Sequence, residues 1–66
     1  MRARVNGVER ELPDGTTVAE LLRELGATQD GLAVALNEHV VRKSLHGSTP
    51  IAQGDAVEII RAVAGG

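Results

Sequence analysis

A chain of 66 residues holds one domain with one small core, because a chain this short buries only about 60% of its unfolded surface. Seven Leu, eight Val and three Ile must supply that core without any Phe, Trp or Tyr, and the lack of cysteine excludes a disulfide framework or a thiolate metal site. Nine acidic against seven basic residues leave a formal charge of −2 with no like-charge block, which offers nothing to nucleic acid or to an anionic membrane.

The opening "RARVNGVEREL" sets Asn6-Gly7 between two short segments, and Asn-Gly is the strongest short-range hairpin signal because both turn residues must reach positive φ. Strands are predicted at Arg2 to Val5 and Val8 to Leu12, followed by a turn at "PDGT". In "TVAE" the Thr17 hydroxyl can cap an N–H three residues on while Glu20 reaches back, which predicts a helix starting with a capping box. Val18, Leu21, Leu22 and Leu25 give that helix one apolar stripe, and Gly26 stands where a left-handed C-cap is expected.

"LAVALN" predicts a third strand, with Leu32, Val34 and Leu36 toward the helix and Ala33 and Ala35 on the other side. The segment from Glu38 to Asp55 is the least regular. A short strand around Val40-Val41, anchors at Leu45 and Ile51, and a turn at "QGD" are expected there. "AVEIIRAV" predicts a last strand with Val57 and Ile59 on one face and Glu58 and Ile60 on the other. The order describes an α+β domain spanning residues 1–66, with one helix across one face of a mixed sheet. Ile60 falls on the face the helix leaves open.

Catalytic chemistry is hard to place. His39 and His46 lack the spacing and companions of a metal site and read as structural or exposed. Ser44, His46 and Asp55 have neither a nucleophile elbow nor an oxyanion loop, and no glycine pattern matches a phosphate loop. Glu9 and Glu11 read as solvated charge on one strand face. A site is expected on a surface or at the tail, with no enzyme activity and no metal. The apolar stretches are far too short for a bilayer span, and the start lacks the apolar run of a signal peptide, so a cytoplasmic protein is expected.

The chain closes on "RAVAGG", and a Gly-Gly end arises by accident roughly once in two hundred chains. A strand running to a short glycine extension reads as a rigid handle with a thin, flexible tip. Glycine has no Cβ, so such a tip fits a narrow channel. Its α-carboxylate, with an ordinary pKa of about 3.5, is a poor electrophile that must be activated, as by adenylation, before a sulfur or nitrogen nucleophile can attack.

The segments "VNG", "DGTTVAELL", "VALNEHVV" and "GDAVEIIRAVAGG" together resemble the ThiS family of sulfur carriers in thiamin thiazole biosynthesis. The resemblance implies a ubiquitin-like β-grasp fold with a four- to five-stranded mixed sheet. It implies adenylation of Gly66 by a ThiF-type enzyme, with ATP and magnesium bound in that partner and no cofactor in this chain. The acyl adenylate would become a thiocarboxylate with sulfur drawn from cysteine through a desulfurase, then donate it to the thiazole synthase ThiG. Gly65 and Ala64 carry over as the narrow tail, and Ile60, with Glu58 beside it, as the partner-binding face. A monomer is expected when free. A MoaD-like carrier of molybdopterin synthesis shares this mechanism, and a TGS-like regulatory or RNA-associated module shares the helix start and last strand but not a free glycine pair.

Overall fold

Asn6 and Gly7 take φ of 50° and 82°, so both residues of the first turn are left-handed, and this joins strands β1 (Arg2–Val5) and β2 (Val8–Glu11) in the tight register Val5 to Val8. The computed structural model describes residues 1–28 and 31–61. Strand β2 stops one residue short of the expected end. Leu12, beyond it, is buried in the core and its N–H donates to the Met1 carbonyl at 2.8 Å.

Helix α1 (Val18–Glu24) begins with the expected capping box. The Thr17 hydroxyl accepts the Glu20 N–H at 3.2 Å, and the Glu20 carboxylate accepts the Thr17 N–H at 2.9 Å. That second bond, to the backbone, holds the Glu20 carboxyl below its ordinary pKa. Gly26, at φ 72°, closes the helix in the left-handed conformation. The helix start is fastened to the loop beneath it: Val18 N–H donates to the Thr49 carbonyl and Ile51 N–H to the Thr16 carbonyl.

Strands β3 (Leu32–Leu36) and β4 (His39–Val41) are joined by a second two-residue turn, Asn37-Glu38, with φ of 50° and 70°. A 3-10 helix over Lys43–Ser48 follows, where irregular chain was expected. It corrects the reading of Leu45 as an anchor. Leu45 is 48% exposed, whereas His46 is buried and its Nε2–H donates to the Val41 carbonyl at 2.9 Å. The short helix turns the histidine inward because a buried ring with a satisfied N–H costs little. Ile51 is an anchor as expected, 2% exposed.

Strand β5 (Ala56–Arg61) completes a five-stranded sheet of order β2-β1-β5-β3-β4. The first and last strands lie side by side and parallel at its centre, and every other pairing is antiparallel. Such a parallel pair requires a long crossover, and α1 lies within it. Val18, Leu21 and Leu22 of α1 pack on Ala3, Val5, Val34 and Val57, closed off by Leu12 and Ile51, with Leu25, Leu36 and Ile59 at the margin. Among the described residues no helix is long and apolar enough to cross a membrane.

Candidate functional site

Strict alternation along β5 sends Val57 and Ile59 to the helix and Glu58 and Ile60 to the uncovered face, as the sequence predicts. On β3, Ala33 stands opposite Ile60 and Ala35 opposite Glu58, and on β4, Val40 stands opposite Ala35. Small alanines leave Ile60 and Val40 proud of the surface, 53% and 78% exposed. Val40 is the member of this patch that sequence reasoning missed. Its only signal was the Val40-Val41 pair, and which of the two faces outward depends on a strand register set by the Asn37-Glu38 turn.

The other end of the same face is charged. Arg2 donates through Nη1 to Glu9 at 3.1 Å and through Nε to Glu11 at 3.4 Å. The Met1 ammonium sits 3.1 Å from Glu11 and 3.3 Å from Asp14, and donates to the Leu12 carbonyl at 2.8 Å. The hydrogen bond it donates to Glu11 raises the pKa of that amine, and the same bond holds the Glu11 carboxyl low.

The exit of β5 is fixed from one side by β3, where Arg61 pairs with Leu32, and from the other by Asn6. The β1 ladder ends at Val5. Asn6 then continues it, its N–H donating to the Val57 carbonyl at 2.9 Å and its side-chain oxygen accepting the Ile59 N–H at 2.8 Å. The turn into β5 is fixed similarly, with Asn37 Oδ1 accepting the Ala56 N–H and Asp55 Oδ2 accepting the Ala52 N–H. Strand β5 is therefore bonded near both ends by a side-chain amide, Asn37 at Ala56 and Asn6 at Ile59, as well as by the sheet. Ala64, Gly65 and Gly66, the expected working tail, lie outside the described residues.

The histidines go their separate ways. His39 Nδ1–H donates to the Asn37 carbonyl, while His46 is occupied with Val41 and Asp55 with Ala52 and Asn37. Among the described residues no three His, Asp or Glu side chains gather as a metal would require. A groove of about 300 Å³ runs between α1 and the 3-10 helix, lined by Leu22, Arg23, Thr28, Leu32, Lys43 and His46 among others.

One helix laid over a five-stranded sheet whose first and last strands pair in parallel defines a protein of the ubiquitin-like β-grasp class. The ThiS family profile matches residues 3–66, and the chain belongs to the ThiS family. Over its whole length it superposes on the crystal structure of the thiamine biosynthesis protein ThiS from Geobacter metallireducens, with a TM-score of 0.88, 32% identity and 100% of both chains covered. It is 37% identical to the sulfur carrier protein ThiS of Thermus thermophilus, over 94% of this chain and 95% of that one. It is also 36% identical over all of its 66 residues to a thiazole synthase of Paramagnetospirillum magneticum, of whose length it spans 20%.

Proposed function

We propose that this chain is the sulfur carrier for the thiazole ring of thiamin, and that it works as a co-substrate of partner enzymes rather than as a catalyst. The observation that carries this reading is the family match running through to Gly66, so that it takes in the Gly-Gly end as well as the fold. A Gly66 carboxylate attacks the α-phosphorus of ATP in a ThiF-type enzyme, which supplies the magnesium, and pyrophosphate leaves. A persulfide charged by a cysteine desulfurase then attacks the acyl carbon through its outer sulfur and AMP leaves, and a thiol takes the inner sulfur as a disulfide, which frees the terminus as a thiocarboxylate. That group donates its sulfur in a ThiG-type thiazole synthase. Glycine at the end keeps the acyl carbon uncrowded in each step, and Gly65 and Ala64 keep the approach narrow. The setting is the cytoplasm, where ATP is at hand.

On this reading the fold is a holder. Strand β5 is the central strand that leads to the tail, and the Ile60 and Glu58 face beside it is where a partner docks. Incubating the chain with a ThiF-type enzyme, ATP, magnesium and a sulfur source should yield, at Gly66, the mass rise of one oxygen replaced by sulfur. An unchanged mass, under conditions that load another ThiS protein, would count decisively against the proposal.

A further inference from the structure

Asn6 and Asn37 are the only asparagines in the sequence, and each opens a two-residue hairpin turn at φ 50°. Each also lends its side-chain oxygen to an N–H of β5, Asn6 to Ile59 at 2.8 Å and Asn37 to Ala56 at 2.9 Å. They differ in what surrounds the amide. Asn37 donates its Nδ2 to Asp55 Oδ1 at 3.0 Å and is followed by Glu38, whose Cβ flanks the next backbone nitrogen. Asn6 is exposed, and among the described residues its Nδ2 has no hydrogen-bond partner. It is followed by Gly7, around which the structure leaves open space.

A backbone nitrogen with no Cβ beside it is open to reaction: having lost its proton to a base, it can attack the Cγ of the asparagine before it. The new N–Cγ bond closes a succinimide ring, and Nδ2 takes up a proton and leaves as ammonia. Water then opens the ring at either carbonyl, giving aspartate or isoaspartate, so the sum is a water gained and an ammonia lost. The native turn forbids the first step. Consecutive φ of 50° and 82° across the two-residue loop define a type I′ turn, whose first residue has ψ of about +30°. At that angle the Gly7 nitrogen lies beside the Asn6 nitrogen and is turned away from the Asn6 side chain. Bringing it to Cγ requires the hairpin to unwind between Val5 and Val8 and the Asn6 amide to leave Ile59. We propose that Asn6 is a deamidation site of this chain, and that its conversion is gated by release of the β5 exit. Isoaspartate makes the release permanent, because it routes the main chain through Cβ and the added atom breaks the register that brings the side chain to Ile59.

The test follows the full chain in mildly alkaline buffer, folded and in concentrated urea, by peptide mass spectrometry at both asparagines, with fragmentation that separates aspartate from isoaspartate. In urea Asn6 should convert while Asn37 stays an amide over the same interval, and Gly7→Ala in urea should slow the conversion several-fold. In the folded chain Asn6 should convert at least about ten-fold more slowly than in urea, since opening must break the Ile59 bond and a hydrogen-bonded turn, each worth about five-fold in such an equilibrium. Val57→Ala loosens β5 beneath Asn6 and leaves the turn sequence as it is, so it should speed conversion of the folded chain and leave the urea rate unchanged. The purified isoaspartate form should lose hydrogen-exchange protection at the Ile59 amide. A folded rate equal to that in urea, a folded rate that Val57→Ala does not move, or an Ile59 amide fully protected in the isoaspartate form would overturn the gating. No conversion of Asn6 in urea, or faster conversion of Asn37, would overturn the site itself.

Discussion

The side-chain oxygen of Asn6 accepts the backbone N–H of Ile59 at 2.8 Å, across 53 residues of sequence, and extends the β1 ladder past the end of β1. The same residue turns the first hairpin at φ 50°. One asparagine thus closes a turn and braces the strand that leads to the tail. Asn6→Gly keeps the turn and loses the acceptor, which should cost about 1 kcal/mol. Asn6→Ala adds a left-handed residue with a Cβ and should cost about 2 kcal/mol or more. Urea denaturation gives both values, and hydrogen exchange at the Ile59 amide isolates the bond. If that amide is as protected in Asn6→Gly as in wild type, the brace is not what holds β5.

Glu38 carries φ of 70° in the second turn, where a residue with a Cβ is strained by about 1–2 kcal/mol. Glu38→Gly removes the strain but gives back about 0.5–1 kcal/mol through the freer unfolded chain. The net gain should be about 0.5 kcal/mol, or about 2–4 °C in Tm for a domain of this size. A lower Tm would mean that the Glu38 side chain contributes something beyond its backbone angles.

These two turns show why one hairpin was legible in the sequence and the other was not. Asn6-Gly7 announces its positive φ values by composition, whereas Asn37-Glu38 reaches the same geometry with a residue that ordinarily avoids it, so the register of β4 and the outward position of Val40 were hidden. The helix was legible because its cap and stripe are local: Thr17, Glu20, Val18, Leu21 and Leu22 all act within two turns. The 3-10 helix was not, because the bond that orients it, from the His46 ring to the Val41 carbonyl, belongs to no recognisable cap or stripe, and with His46 turned inward Leu45 faces outward against its hydrophobicity. In the site, Ile60 and Glu58 followed from strand alternation alone. The bracing of β5 by Asn6 and Asn37 did not, since nothing local distinguishes an asparagine that only turns the chain from one that also bonds a distant strand.

The pH response should have two edges. The Met1 amine is raised above its ordinary value near 8 by Glu11, so its contribution is complete below about pH 8 and disappears as pH climbs through the raised value. Glu11 and Glu20 are lowered from about 4.5, by the amine and by the Thr17 N–H respectively, so their contributions are complete above that value and vanish as acid titrates them. Acetylating the amine should flatten the alkaline edge of a Tm against pH curve. Glu20→Gln should soften the acid edge. An acetylated chain whose alkaline edge keeps its slope would remove the Met1–Glu11 pair as its cause.

Thr17→Ala removes the hydroxyl that accepts the Glu20 N–H and should cost about 1 kcal/mol, read as a lower urea midpoint at unchanged m-value. Thr17→Ser keeps the oxygen and should recover most of the loss. A serine variant no more stable than the alanine would mean that the Thr17 methyl, rather than its oxygen, sets the start of α1.

Placing one alanine after Gly66 separates the carrier reading from every reading in which only the sheet face matters. The core lies between α1 and the strands, so the extended chain should melt at the wild-type temperature. It should still dock, because Glu58 and Ile60 are untouched on β5. Yet its terminal carboxylate now belongs to a residue with a Cβ, one position too far along, and both changes work against a reaction whose geometry must be met to within about 0.5 Å. Pyrophosphate release should fall below detection while the extended chain competitively inhibits loading of the wild type. Thiocarboxylate formation on the extended chain at the wild-type rate would show that the enzyme does not depend on a glycine terminus, and the mechanism proposed for Gly66 would have to be given up.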